Sequence, residues 1–206
     1  MSNSSLGLRP TIVDLIFGQN LASSVIFVVI GAAVTAIAAQ FVVPIYPVPV
    51  TGQTLAVLVV GMSLGAARGA LAMIVYVAFG ASGLPVFGNA SSGIDVLFGP
   101  SGGYIFGYIA CAATVGFLAE RHWDRSFLRA VAAATIGIVI TFLAGILGIV
   151  LAFERLGIES TIQSILDSSV TPFLIGEAIK IIGAAALLSL SWKAVLRPRS
   201  IDQEAG

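Results

Sequence analysis

The chain has 206 residues, of which 58% are hydrophobic and only 10% charged, with ten basic side chains against ten acidic ones and a mean hydropathy of +1.05. That composition argues against a soluble domain and for lipid-facing helices packed as one membrane domain, and the zero formal charge gives no strong steering toward nucleic acid. The lone Cys111 cannot form an internal disulfide and reads as a small apolar helix residue.

In chain order, Met1–Asn20 is too mixed for a cleavable signal peptide, because Arg9 and Asp14 flank only a brief apolar patch with no small-residue cleavage site after it. It reads as a cytoplasmic tail with a short interfacial helix. Six apolar spans follow, at about Ala22–Val42, Thr54–Gly65, Gly69–Ala81, Gly103–Ala119, Val131–Ala152 and Thr171–Trp192. The second and third fall short of the ~20 residues of a full crossing, and Gly61, Gly65 and Gly69 punctuate them, so they read as two abbreviated helices joined by a tight turn at Ala66–Arg68. The alternative is one kinked span and a count of five. The resulting organisation is an N-terminal segment 1–21, a six-helix membrane domain 22–193 and a C-terminal tail 194–206.

Charge placement favours six spans with both termini cytoplasmic. That topology gathers Arg9, Arg68, Arg121, Arg125, Arg129, Lys193, Arg197 and Arg199 on the inner side and leaves only Arg155 outside, with Lys180 inside the membrane. Asp95, Glu154, Glu159 and Asp167 then all lie outside. Five spans would send a basic segment across the membrane, against the positive-inside rule. Arg68, in the short inner turn, is explained as an anchor of that kind, a contact with a partner being the alternative.

Two outer connections are unusual. Val43–Gly52 holds Pro44, Pro47 and Pro49, which forbid helix and favour a stiff extended segment. Ser82–Gly102 is rich in Gly, Ser and Pro yet carries Phe87 and Asn89, which a mere spacer does not need; it reads as a lid or pocket wall. Small residues form strips on the first span (Gly31, Ala32, Thr35, Ala36, Ala39) and the fourth (Gly103, Gly107), which permit close backbone approach in lipid. In the fourth span the strip packs the chain's own helices; in the first, Ala32 and Ala36 offer a docking face for another membrane protein, packing within the chain being the alternative.

The final span carries the most informative pair. Glu177 and Lys180 stand three residues apart in an otherwise apolar run, on one helix face, where ionisable groups are costly and mark a substrate or ion path. Catalytic machinery is missing around them. No glycine-rich phosphate loop precedes either lysine, no histidine–cysteine cluster suits a metal, and the single His122 sits in a polar loop away from any serine nucleophile. The residues describe a binder with a polar floor and a covering loop rather than an enzyme.

The blocks Pro47–Val57 (PVPVTGQTLAV), Leu64–Leu71 (LGAARGAL), Gly83–Phe87 (GLPVF) and Phe98–Tyr104 (FGPSGGY) occur in order. Together they resemble the BioY family, the biotin-specific S components of energy-coupling factor (ECF) vitamin transporters. The resemblance runs from about Val25 to the last helix. It implies an all-α, six-helix S-component fold in the inner cell membrane, biotin capture at the outer face, and delivery through a transmembrane T component and two cytoplasmic ATPases, with no cofactor of its own. Carried over by residue, it places Thr51, Gln53, Phe87, Asn89 and Tyr104 at the ligand. Pro172–Lys180 (PFLIGEAIK) resembles the family block that ends in the binding lysine, with Ile175 where a proline is usual and Glu177 where an aspartate is, so the acid reaches one methylene further. Glu177 or Asn89 would accept from a ureido N–H, Asn89 or Gln53 would donate to its carbonyl, and Lys180 would offset the carboxylate or keep Glu177 ionised. Alternatives are an S component for another small vitamin and a membrane assembly protein whose Glu177–Lys180 pair only fixes packing. Oligomeric state stays open.

Overall fold

The computed structural model describes residues 10–18 and 20–196. Arg9, Arg197, Arg199 and the ends of both tail segments lie outside the described residues. A short helix α1 (Ile12–Phe17) is followed by α2 (Leu21–Ala38), a two-residue strand pair β1 (Val42–Val43) and β2 (Val50–Thr51), and α3 (Gln53–Leu64) and α4 (Ala66–Ala81). Then come α5 (Ile94–Phe98), α6 (Gly102–Ala119), α7 (Phe127–Leu156), α8 (Ile162–Ser169) and α9 (Leu174–Leu196). By length and composition four helical segments can cross a membrane, α2, α6, α7 and the run 162–196, while α3 and α4 are shorter apolar helices.

One residue separates α3 from α4. Gly65 takes φ +84°, a conformation that favours glycine, and the chain reverses so sharply that Gly61 faces Gly69 across the hairpin. The turn is sealed from outside the hairpin: Glu120, just past α6, accepts from the Ala66 N–H at 2.9 Å. Arg68 lies beside this turn and is spent within the chain. Its guanidinium pairs with Asp14 at 2.8 Å and donates to the Leu64 carbonyl and the Thr11 hydroxyl, tying α1 down. Burial pushes the Asp14 carboxyl up, but the bonds to Arg68 and Thr11 outweigh it and the net displacement is downward.

The largest helix contact is α6 on α7, where Gly103 and Gly148 meet so closely that a Cβ on either would overlap the other's backbone. The small-residue reading of the fourth span thus holds as packing within the chain. The docking reading of the first span needs correction. Ala32 is 1% exposed, packed into the core beside α3 and α4, and Ala36 is half-buried against the same core; the outward face of α2 is instead Val25, Ile26, Val29, Ile30, Val34 and Ile37. A strip of small residues let the neighbouring helices close over it, as Gly31 against Val60 and Ala72 shows.

At the Arg68 end, a second buried cluster joins the α6–α7 connection to α9. Asp124 is 1% exposed and accepts from the Trp192 indole, with the Arg125 guanidinium 4.2 Å over the Trp192 ring. Burial lifts the Asp124 carboxyl to about 6, the bond to Trp192 and the charge of Arg125 opposing it only in part.

Candidate functional site

The opposite end of the molecule opens into a cavity of about 290 Å³, near the lower bound of ordinary small-molecule sites. Its walls come from the β1–β2 hairpin, the first turns of α3, α6 and α9, the middle of α7, and the loop 82–101.

The floor is built on Phe173, in the short turn that leads into α9, and on Glu177, one turn further on, at the head of the inward stripe of α9 that continues through Ala184, Leu188 and Trp192. Glu177 Oε1 accepts from Lys180 Nζ at 2.7 Å and from Thr54 Oγ1 at 2.9 Å. Lys180 is fully occupied: besides Glu177 it reaches the Thr51 carbonyl at 2.6 Å and Thr54 Oγ1 at 2.9 Å, and it stands behind the cavity wall rather than in it. Glu177 Oε2 is different. It is buried, belongs to a cavity-lining side chain, and has no hydrogen-bond partner among the described residues. In a buried setting such an atom is a costly defect unless something binds it.

Next to the floor, Thr51 Oγ1 donates to Gln53 Oε1 at 2.7 Å, and Tyr108 donates to the same oxygen at 3.4 Å. The Gln53 amide donates to Tyr76, whose hydroxyl donates to the Val86 carbonyl at 3.1 Å. Gln53 therefore organises α3, α4, α6 and the covering loop at once.

The apolar wall is aromatic. Tyr104 and Phe173 stack with centroids 6.1 Å apart, and Phe142 meets both edge-on. Tyr104 has also given its hydroxyl away, to the Ser169 carbonyl at 2.8 Å, so it offers the cavity its ring.

Across the mouth, the loop is latched by Phe87, 1% exposed, whose ring lies edge-on to Tyr76 and fills a notch at Gly80 where any Cβ would fall inside the ring. Gln40 supplies a second clasp: its amide donates to the Phe87 carbonyl at 3.2 Å and its oxygen accepts from the Ala90 N–H at 3.0 Å. That clasp holds Asn89 at φ 57°, ψ 34°, placing it at the cavity rim.

Six of the seven predicted site residues, Thr51, Gln53, Phe87, Asn89, Tyr104 and Glu177, thus line one cavity, with Lys180 directly behind it. Sequence reasoning did not single out Gln40, Thr54, Tyr76, Tyr108, Phe142 or Phe173. Of these, Thr54 was reachable as the residue next to Gln53, and Phe173 and Tyr108 as neighbours of Glu177 and Tyr104 at helical spacing; the others depend on helix packing.

The profile described as the BioY family matches residues 9–197. A curated protein of Thermotoga maritima named "Biotin transporter BioY" is 37% identical over 164 residues, 80% of this chain and 92% of that protein. A "Biotin transporter BioY" of Rhizobium etli is 32% identical over 148 residues, 66% of this chain and 79% of its own length. Among solved structures, a crystal structure of the S-component for biotin from an ECF-type ABC transporter superposes with a TM-score of 0.72 at 22% identity, covering 84% of this chain and 92% of the other.

Proposed function

The chain belongs to the BioY family, and from that premise we propose that it is a non-enzymatic transport subunit that captures biotin in the cavity above Glu177. The observation that carries the proposal is the unpartnered Glu177 Oε2 in an otherwise satisfied polar floor. A carboxylate oxygen accepts only, and the ureido ring of biotin presents N–H donors on a compact planar head. The thiophane ring then lies against Tyr104, Phe142 and Phe173. Biotin's own carboxylate is repelled by Glu177, so the valeryl tail points to the rim, where Asn89 and Ser91 offer polar groups. Lys180 is a positioning residue: it balances the charge of Glu177 and aims it by holding its other oxygen.

Six membrane helices, α2, α3, α4, α6, α7 and α9, would place the cavity outward and both termini in the cytoplasm of a cell with the protein in its inner membrane. Support comes from Arg68, Arg121, Arg125, Arg129 and Lys193, which all fall at the end away from the cavity. Energy for uptake would come from an ECF transmembrane component and two ATPases, the exposed apolar face of α2 being the surface available to them.

Titration calorimetry on the purified chain tests the capture reading. Biotin binds with nanomolar affinity, thiamine and riboflavin do not compete, and biotin methylated on both ureido nitrogens, which can no longer donate to Glu177, binds far more weakly than biotin amide, which lacks only the tail charge. Indifference to biotin overturns the function; equal losses with the two analogues overturn the orientation.

A further inference from the structure

A second concavity lies on the lipid-facing side of the cavity end, and biotin capture makes no use of it. It is a groove of about 280 Å³ between α5, α6 and α7, walled by Phe98, Phe106, Leu147 and Leu151, with Arg155 at its rim. Its origin is the Gly103–Gly148 contact, which draws two backbones together and leaves the bulky flanking side chains standing as walls. All four wall residues are exposed, so the groove opens sideways rather than into the protein.

Apart from Lys180, which is spent in the polar floor, Arg155 is the one cation at this end among the described residues. As a basic residue in the last turn of α7 it suits the helix dipole, but that does not account for its direction: the guanidinium lies 5.1 Å over the Phe98 ring of α5, across the groove mouth. Asp95, Glu154 and Glu159 are its acidic neighbours, and among the described residues none is within ion-pair distance of it. Length gives a second clue. From Arg155 down to Ala144, the deepest lining residue of α7, is eleven residues; at ~1.5 Å each that is ~16 Å, close to half of a ~30 Å hydrocarbon core. An apolar slot one leaflet deep, closed at its interfacial end by an unpaired guanidinium, matches one kind of molecule.

We propose that the groove holds an acyl chain of an anionic phospholipid of the leaflet on the cavity side, with Arg155 on its phosphate. The guanidinium fork suits phosphate oxygens, and Phe98 holds it at headgroup height. The same short helix that carries Phe98 to the lipid carries Val96 to the biotin cavity, so α5 is the partition between the two sites. The proposal uses the family assignment only for the membrane; it stands or falls independently of the biotin reading.

The test is native mass spectrometry of the delipidated chain in detergent with dioleoylphosphatidylglycerol, and with dioleoylglycerol as the phosphate-free control. It is paired with photo-crosslinking by phosphatidylglycerol carrying a diazirine at mid-chain. One phosphatidylglycerol per chain is retained, dioleoylglycerol is not, and crosslinks map to 103–106 and 144–151. Arg155→Gln lowers retention at least tenfold, Arg155→Lys keeps most of it, and Leu147→Trp, which fills the slot with the charge intact, abolishes the crosslinks. Both positions are exposed and outside the biotin cavity, so biotin affinity and melting temperature stay at the parent values and report that the variants are folded. Equal retention by parent, Arg155→Gln and Leu147→Trp overturns the site, as does equal retention of the two lipids. Protein–protein crosslinks through the groove in place of lipid also overturn it, and would make the groove a contact between copies.

Discussion

Replacing Lys180 by methionine isolates the division of labour in the polar floor. The side chain keeps its length and apolar stem but loses an ammonium that holds the Thr51 carbonyl, Thr54 Oγ1 and Glu177 Oε1, all at 2.6–2.9 Å. Glu177, whose side chain is 5% exposed, is left as an uncompensated buried carboxylate. Removing one partner of such a pair costs roughly 3–5 kcal/mol, which at about 2–4 °C per kcal/mol lowers the melting temperature by roughly 6–20 °C. Without the ammonium the Glu177 carboxylate is no longer held through Oε1, and a ureido N–H bonded to Oε2 loses the aim that makes a charge-assisted bond stronger than a neutral one. That difference is about 1–1.5 kcal/mol, or a five- to twelvefold weaker affinity for biotin. The double variant Glu177→Gln/Lys180→Met buries no charge; it should regain at least half of the lost stability while affinity stays low. Lys193→Met, at an exposed position at the far end of α9, serves as the control. Melting curves and calorimetry on the four chains read both quantities. If Lys180→Met melts like the parent, or the double variant is no more stable than the single one, the ammonium is not compensating Glu177 and the reasoning fails.

Gly80→Ala drives a methyl group into the Phe87 ring, so the latch must shift and labelled biotin should dissociate at least tenfold faster; an unchanged off-rate would mean the loop does not control release. Gln40→Ala removes the clasp on Phe87 and Ala90, and hydrogen exchange at 87–91 should rise while α6 and α7 stay protected. Asp124 binds its proton more tightly folded than unfolded, so its contribution to stability is complete below about pH 4, declines as pH rises toward 6 and is lost above it. The span from 3.8 to about 6 corresponds to roughly 3 kcal/mol. Asp124→Asn, which can still accept from Trp192, should flatten that part of the stability profile between pH 4 and 7; an undiminished slope would assign it to other groups. Ala32→Trp should lower the yield of folded protein, because the position is buried against the chain's own helices, and normal biotin binding by that variant would contradict the packing.

Hydropathy located the helices because lipid exposure leaves its mark along the chain, yet it misplaced their ends where a helix runs on through polar residues. α7 begins at Phe127 and ends at Leu156, a turn beyond the apolar run on each side, and α2 stops at Ala38 because the chain must turn into the strand pair. α8 escaped because its signal is local rather than hydropathic: Thr161 and Ser164 form a reciprocal capping box ahead of a single amphipathic turn pair. The prolines of 43–52 announced an extended segment, but the pairing of Val42 with Thr51 needs partners that a linear reading does not supply. Glu177 and Lys180 were legible from cost alone, since charge in an apolar helix demands a reason. Which of them faces the cavity was not, because the answer rests on Thr51 and Thr54, more than 120 positions away in sequence. The small-residue strip on α2 was equally visible and its direction equally hidden: spacing says that two backbones approach, and only the packed helices say whose.

The floor and the lid are one hydrogen-bonded structure. Lys180 holds Thr51 by its carbonyl, the Thr51 hydroxyl holds Gln53, Gln53 holds Tyr76, and Tyr76 holds Val86, next to the latch residue Phe87. Gln53 has both lone-pair directions of its carbonyl occupied, by Thr51 and Tyr108, so its oxygen is spent within the network rather than free toward the cavity. Among the described residues the one carboxylate oxygen of this network without a partner is Glu177 Oε2, at the cavity floor; at the other end Val86 leads directly into the loop over the mouth. A donor that satisfies Glu177 therefore stabilises the same connected set of groups that seats the loop, and an opened loop withdraws support from the residues that aim Glu177. Binding and closure need no separate devices in this fold, because buried polar groups in a low-dielectric interior are stable only when the whole chain of partners is complete.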